Sequence, residues 1–284
     1  MELRLIHFYP DLMGLYGSYA NVSVLKRSLE GLGNTVTVET VLPGQEASLE
    51  GADFLYMGAG TERSQLAALA DFTRYGSTVC ALAGEGTAML FAGTAMELLG
   101  KTITDASGKE HSGIALADFT AVQGTRRIVG DVYGKTDLYP QAVVGFMNKC
   151  AVISGVKTPL LTSLGLGFGN ETALGAEGFH WKNVFASELT GPILVKNPRM
   201  LDTVIAAIYQ HRNSSLPQER PTDSWAEAGY AITEEQLRLR WRGLSMLEGR
   251  FAAVQADLAR AEQAGLDTEA LVFGEALFRR DGFI

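Results

Sequence analysis

The groups able to do covalent or acid–base chemistry in this chain are few. There are two cysteines, Cys80 and Cys150, and four histidines, His7, His111, His180 and His211. Only two cysteines are present, which rules out a disulfide framework and any CxxC metal site, and the histidines have no metal-ligand spacing. His7 falls in an expected first strand and His180 in an expected hairpin, while His111 and His211 lie near loops or ends. All four read as structural or solvated. Cys80 lies in a helical pattern and reads as core filling. Cys150 follows Asn148 near an expected strand end, where a thiol is either a nucleophile or a small hydrophobe. Arg126-Arg127 is either a bidentate carboxylate clamp or a plain surface pair. Gly58-Ala59-Gly60 ends a strand. It either turns backbone N–H groups toward one point, as an oxyanion hole does, or simply makes a tight turn. No third glycine completes a dinucleotide fingerprint.

The stretch that organises these groups is 86–100. Met89-Leu90-Phe91-Ala92 is a short apolar run that stops at Gly93, and Met96, Leu98 and Leu99 then resume an apolar pattern suited to a helix. Strand, sharp turn and helix form the elbow on which α/β hydrolytic enzymes hold a nucleophile. The turn residue there should be Cys or Ser, and here it is Gly93. The pattern is that of a nucleophile elbow without its nucleophile.

Strands and helices alternate up to this point. Leu3-Arg4-Leu5-Ile6-His7-Phe8 reads as the first strand, and a helix follows with Val22, Leu25, Leu29 and Leu32 on one face and Gly33 past its end. The β-branched alternation of 35–41 gives a second strand and 52–57 a third; a long helix is expected over 62–83. This spacing predicts an α/β fold with a parallel, doubly wound sheet. Beyond 100 the pattern changes to short β-like runs at 114–122, 128–133, 142–147 and 160–166, with hairpins at Ser107-Gly108 and Lys182-Asn183. Antiparallel additions to the α/β core are expected there. Asn197 is placed to cap a helix beginning at Pro198.

The chain is polar with two prolines over 212–224, a linker composition, and Thr233 with Gln236 three residues on is a capping-box pattern opening a long helix. Leu237, Leu244, Phe251 and Leu258 recur every seven residues, joined by Leu247 and Val254, which makes a seam for packing or for a partner helix. The expected organisation is a domain over 1–213 and a linker with a helical extension over 214–284. A hydrophobic fraction of 46% suffices for a full core, and a formal charge of −8 argues against nucleic-acid and anionic-membrane binding. No apolar run reaches the ~20 residues of a membrane span, and no leader pattern opens the chain, so a cytoplasmic protein is expected.

Over residues 1–215 the chain resembles the class I, cobyric-acid-synthase-type glutamine amidotransferases, and within them the GatD-type glutaminase subunit of lipid II isoglutaminyl synthase. The resemblance rests on His7-Phe8, Leu15-Tyr16 and Ala20-Asn21, and on Gly58-Ala59-Gly60-Thr61-Glu62-Arg63-Ser64-Gln65, which is similar to a triple-glycine turn with an acidic-Arg-x-Gln helix start. It continues through Arg127 with Gly130-Asp131, Gly145-Phe146 with Asn148, and Gly165-x-Gly167-Phe168-Gly169-Asn170. It closes with Gly178-Phe179-His180-Trp181-Lys182-Asn183 and Gly191-Pro192-Ile193-Leu194. The family hydrolyses glutamine with a cysteine in Cys-Gly-Gly-Tyr-Gln and a histidine in Leu-His-Gly-Pro. Those stretches here read Gly93-Thr94-Ala95-Met96-Glu97 and Leu189-Thr190-Gly191-Pro192.

The resemblance therefore implies an amidotransferase fold whose nucleophile and base positions hold Gly93 and Thr190, neither able to do that chemistry. What would remain of a ligand pocket is Gly58, Ala59, Gly60, Thr94, Glu97, Arg127 and Asn148. Arg127 would hold the glutamine carboxylate, or else pair with Glu97 as an internal acid. The implied function is a pseudo-glutaminase that supports an ATP-dependent Mur-ligase-like partner of the MurT type, as a heterodimer acting on peptidoglycan precursor. No cofactor or metal is implied. The rival readings are a sensor of glutamine or a related amino acid, a scaffold, and a glutaminase using Cys150 as a displaced nucleophile.

Overall fold

The computed structural model describes residues 1–171, 174–217 and 223–263. The chain divides into two compact units, Met1–Leu237 and Arg238–Ile284. In the first unit, β1 (Glu2–Phe8), α1 (Ala20–Gly31), β2 (Thr35–Val41), β3 (Phe54–Met57), α2 (Glu62–Phe72), α3 (Gly76–Glu85) and β4 (Ala88–Ala92) follow one another in α/β order. Then come β5 (Thr102–Thr104), β6 (Glu110–Ser112), β7 (Thr120–Lys135), β8 (Val143–Ser154), β9 (Ser163–Leu166), β10 (Phe179–Trp181), β11 (Val184–Ser187) and β12 (Leu189–Thr190). Helices α4 (Ile193–Lys196), α5 (Pro198–His211) and α6 (Ser224–Gln263) complete the described elements.

The first sheet has the order β10-β11-β4-β3-β1-β2. All its pairings are parallel except β10 with β11, the Lys182-Asn183 hairpin. Alternation along β1 serves two cores: Ile6 and Phe8 pack with Ala68, Phe72 and Val79 of α2 and α3, while Leu3 and Leu5 pack with Leu25 of α1 and Val204 of α5. Helices thus cover both faces, and the strands β3 and β4 are buried throughout, as parallel strands between two helical layers must be. The second sheet has the order β12-β8-β7-β5-β6, with β9 also on β7, and only β5 with β7 is parallel. These are the expected antiparallel additions.

Several local expectations are corrected. The helix over 62–83 is broken by a 3-10 turn at Thr73–Tyr75. The tighter turn sets Phe72 and Tyr75 on the same ring, Phe8, with centroids 5.1 and 5.5 Å away. After Gly93 the chain forms no α-helix but a 3-10 segment, Gly93–Leu99, with every residue buried. It has no polar face to give to solvent and runs into β5 at once. The runs expected at 114–122 and 128–133 give one strand from Thr120, and Cys150 lies inside β8 rather than at a strand end.

The Asn197 side chain does not cap α5. It grips the backbone of Val144, accepting from its N–H at 2.8 Å and donating to its carbonyl at 2.8 Å. The last helix begins nine residues before the expected capping box. Asp223 accepts from the backbone of Trp225 and Ala226 at 3.2 and 3.1 Å, while Thr233 is already inside the helix, its hydroxyl donating to the Gly229 carbonyl. Of the expected linker, 218–222 lie outside the described residues, as do the side chains of Val254 and Leu258 from the expected seam and all of 264–284. Along that seam Leu237 is buried and Leu244 is exposed.

Candidate functional site

The parallel strands β3 and β4 end side by side, Met57 opposite Phe91, and this delivers the Gly58-Ala59-Gly60 turn against the Gly93 elbow. Gly93 has φ +62°, the left-handed conformation of a sharp strand-to-helix turn. A Cβ built on it would stand 2.6 Å from the Ala59 Cβ. The Ala59 methyl therefore occupies the volume into which a side chain at 93 would project.

The neighbouring turn is closed by Thr94, whose hydroxyl accepts from the Gly60 N–H at 2.9 Å and donates to the Gly60 carbonyl at 3.1 Å. The Gly60 N–H, one of the backbone donors that could have met an oxyanion, already has a partner. Neither Gly58 nor Gly60 takes a positive φ. They are glycines because residues 12–18 fold over them: a Cβ at Gly58 would meet Ser18 and the Met13 carbonyl, and one at Gly60 the Met13 sulfur and the Leu12 carbonyl. The turn is thus a packing site in contact with the elbow.

Below the elbow lies a buried amide network. Gln65 donates to the Thr94 carbonyl at 2.7 Å, and Gln123 donates to Gln65 at 2.7 Å and to Glu97 at 2.9 Å. Burial raises the Glu97 carboxyl to about 8, with a further rise from the Glu188 charge. Glu97 is therefore a neutral acid at pH 7, carrying one donor and one acceptor, and it can fill the position of an amide. The expected pairing of Arg127 with Glu97 is not made.

Arg127 instead clamps Glu62, at 2.6 and 2.7 Å to its two carboxylate oxygens, and donates to the Asn148 side chain at 3.0 Å. Asn148 donates in turn to the Tyr16 hydroxyl at 2.9 Å. The clamp exists because of a break in the β7–β8 ladder: Gln123 pairs with Ala151 and Ile128 with Lys149, so four residues of β7 stand opposite Cys150 alone. That bulge swings Arg127 across to the first turn of α2. Burial raises the Glu62 carboxyl, but its own backbone N–H, the Cys150 thiol and Arg127 together outweigh this and hold it below the usual range.

The Cys150 thiol lies 3.3 Å from Glu62, and burial followed by that carboxylate pushes it up to about 12. A thiol in this setting stays protonated at neutral pH, the reverse of an activated nucleophile. Thr190 lies on β12, paired with Phe146, and its hydroxyl donates to the Phe146 carbonyl at 3.1 Å. No titratable base stands at that position.

The structure thus separates the expected ligand residues into two groups. Gly58, Ala59, Gly60, Gly93 and Thr94 form the closed elbow. Arg127 lines a cavity of about 540 Å³ with Glu62, Arg63, Asp105, Ser107 and Cys150, and none of the elbow residues lines it. Glu97 lies beneath, bonded to Gln123, which forms part of the wall. Glu62, Gln65 and Gln123 were not among the expected site residues. Glu62 and Gln65 stand in the helix-start motif, which is their only signal in the sequence. Gln123 has none, because its role depends on the bulge. Of the histidines, His7 is buried and pushed down to about 4 by burial, His180 stacks on Phe185, and His111 lies 2.8 Å from Asp105. No cluster able to hold a metal ion is present among the described residues, and no described helix is long and apolar enough to cross a membrane.

Residues 4–198 match the CobB/CobQ-like glutamine amidotransferase domain. The subunit GatD of the glutamine-hydrolysing lipid II isoglutaminyl synthase of Staphylococcus aureus (strain N315) is 26% identical over 242 residues, covering 84% of this chain and 97% of that protein. The corresponding subunit of Streptococcus pneumoniae (strain ATCC BAA-255 / R6) is 29% identical over 203 residues, covering 70% and 77%. Among solved structures, PurLQS from Thermotoga maritima aligns with a TM-score of 0.50 at 11% identity, over 75% of this chain and all of that one, a likeness of fold alone. With the family match spanning all but the first residues of the parallel sheet, the elbow and the whole second sheet, the chain belongs to the CobB/CobQ-like glutamine amidotransferases.

Proposed function

We propose that this chain is a GatD-like subunit of a lipid II isoglutaminyl synthase-type complex that does not hydrolyse glutamine. Its amidotransferase-like domain spans 1–213, with 214–284 as linker and helical extension. It acts as a heterodimer with an ATP-dependent Mur-ligase-like partner of the MurT type, on peptidoglycan precursor in the cytoplasm, and takes no cofactor or metal. The relatives support the GatD-like part of this reading.

The observation that carries the non-hydrolytic part is the closed elbow. Gly93 has no nucleophilic group, the Ala59 methyl fills the space for one, and Thr94 occupies the Gly60 N–H. Acyl transfer from an amide needs an attacking atom, a proton acceptor and donors aimed at the developing oxyanion. Gly93 and Thr190 supply neither the attacking atom nor the proton acceptor, the Gly60 N–H is taken by Thr94, and the protonated Cys150 thiol supplies no substitute.

The test is co-purification of the tagged chain with a Mur-ligase-like protein, followed by amidation assays of the pair. The expected result is a stable complex that amidates with ammonium salts, fails with glutamine and releases no glutamate. Glutamate release abolished by Cys150→Ala would replace this reading with that of a displaced nucleophile. Absence of any such partner would overturn the subunit role.

A further inference from the structure

Helix α6 carries a second apolar stripe besides the one that begins at Leu237. On its inner side Leu237 is buried, the Tyr230 hydroxyl donates to the Ala142 carbonyl, and Glu234 accepts from Tyr133. The second stripe is Trp225, Ile232, Leu239 and Met246, spaced seven residues apart. These side chains are 87%, 61%, 56% and 57% exposed. Seven residues make nearly two turns, so the four form one line about 32 Å long. Trp225 and Ile232 each precede an inner-side residue, Tyr230 and Leu237, by five positions, which turns the line roughly 140° away from it. Single apolar residues on a surface are ordinary, but a continuous line of them marks an interaction site.

The spacing calls for another helix, because a seven-residue repeat keeps its side chains on the seam of a helix pair and on no other partner surface. The residues beside the line say which helix. Ala228, Gly229 and Gly249 are exposed and small, which leaves low ground at both ends for a large side chain from across the pair. Acids lead, with Glu227, Glu234 and Glu235, and arginines follow, with Arg238, Arg240 and Arg242. Glu235 and Arg242 stand on the exposed side, one repeat apart. Two copies running antiparallel bring the Trp225 end of one against the Met246-Gly249 end of the other, and Glu235 of each near Arg242 of its mate. Two parallel copies would set Glu235 on Glu235 and Arg242 on Arg242, which repels. The leading acids and the formal charge of −8 disfavour an anionic lipid surface as the occupant. The helix also lies outside the residues matched by the family domain, 4–198, so the surface is an addition to that domain.

We propose that the Trp225-Ile232-Leu239-Met246 stripe pairs two copies of this chain through an antiparallel contact of their α6 helices, with Glu235 and Arg242 fixing the direction. The pairing is of the chain with itself and is separate from the heterodimer reading. Loss of one contact leaves the other testable, since self-association is measured on the chain alone.

The experiment is sedimentation equilibrium of the full chain over a concentration series, with circular dichroism as the check on helix content. The unaltered chain is expected to be a dimer that dissociates on dilution. Leu239→Glu, on the exposed line, is expected to weaken the dimer at least tenfold. Glu235→Arg and Arg242→Glu, each alone, are expected to weaken it at least tenfold, and the two together to restore it. The charge exchange leaves the apolar line intact, so it reads the pairing even where Leu239→Glu lowers helix content. A chain that stays monomeric at all concentrations would overturn the proposal. So would a dimer indifferent to Leu239→Glu, or single charge variants that pair as well as the unaltered chain, which is the parallel result. Vesicles of phosphatidylcholine with phosphatidylglycerol form the last arm: binding to them that Leu239→Glu abolishes, without dimerisation, would assign the stripe to a membrane surface instead.

Discussion

Gly93 and Ala59 act as a pair. The elbow keeps its left-handed backbone, yet the methyl of the facing turn stands where a side chain at 93 would go. Gly93→Cys alone meets both the positive φ and the 2.6 Å contact, and is expected to destabilise by about 1–3 kcal/mol in chemical denaturation. Adding Thr190→His should not give labelling by a glutamine-like electrophile. The triple variant with Ala59→Gly should, because only then has the thiol room to face the imidazole. Equal labelling of double and triple variants would show that the turn yields freely. Glu97 makes a second prediction. Its folded value of about 8 lies above the ordinary 4.5, so the folded state holds the proton more tightly than the unfolded one. Stability from this group is complete below pH 4.5 and is lost as pH rises toward 8. Glu97→Gln keeps the hydrogen bond to Gln123 without the ionisation. It should flatten that decline and stabilise by about 1–3 kcal/mol at pH 8, read from denaturation midpoints across the range. A slope from the buried Glu188, raised to about 7, will remain.

Among the elements, α6 shows how a helix start is chosen by context. The capping-box pattern is at Thr233, yet the structure caps the helix ten residues earlier, at Asp223. The earlier cap prevails because the turns between the two have tertiary partners: Glu227 pairs with Arg199, the Tyr230 hydroxyl donates to the Ala142 carbonyl at 2.8 Å, and Tyr133 donates to Glu234 at 2.9 Å. Asp223→Ala should cost about 1 kcal/mol, since two backbone donors lose their acceptor. Thr233→Ala, inside the helix, should change stability by less than about 0.5 kcal/mol. The reverse order in a thermal melt would place the functional cap at Thr233. The bulge in β7 follows the same logic at the candidate site. A regular ladder would leave Arg127 on the strand, away from Glu62.

At the scale of the whole molecule the two sheets are joined by a buried ion network. Lys149 on β8 donates to Glu188 at 2.5 Å and to the carbonyls of Gly169 and Asn170 at 2.7 and 3.0 Å. Glu188 sits between β11 of the first sheet and β12 of the second, and its N–H donates to Glu177 at 2.7 Å. Burial raises Glu177 and Glu188, which Lys149 opposes. Lys149→Met removes the only cation of this cluster among the described residues and leaves Glu188 without its partner. It should cost about 3–5 kcal/mol, measured by urea denaturation, and lower the midpoint for both sheets together. Lys149→Met with Glu188→Gln should recover part of that loss, because the uncompensated charge goes with it.

The α/β order, the parallel strands, the hairpin at Lys182-Asn183 and the family were legible in the sequence. Each rests on local periodicity, turn chemistry or motifs read along the chain, and so was the lack of a nucleophile at Gly93. Tertiary structure alone decided the state of the site. That Ala59 fills the vacant volume, that Thr94 occupies the Gly60 N–H, and that Arg127 takes Glu62 rather than Glu97 are contacts between residues 34 to 65 positions apart. They depend on the register of β3 against β4 and on a four-residue bulge in β7, which side-chain patterns do not encode. A residue type states what chemistry is available, but which neighbour desolvates or neutralises it is set only when distant segments pack.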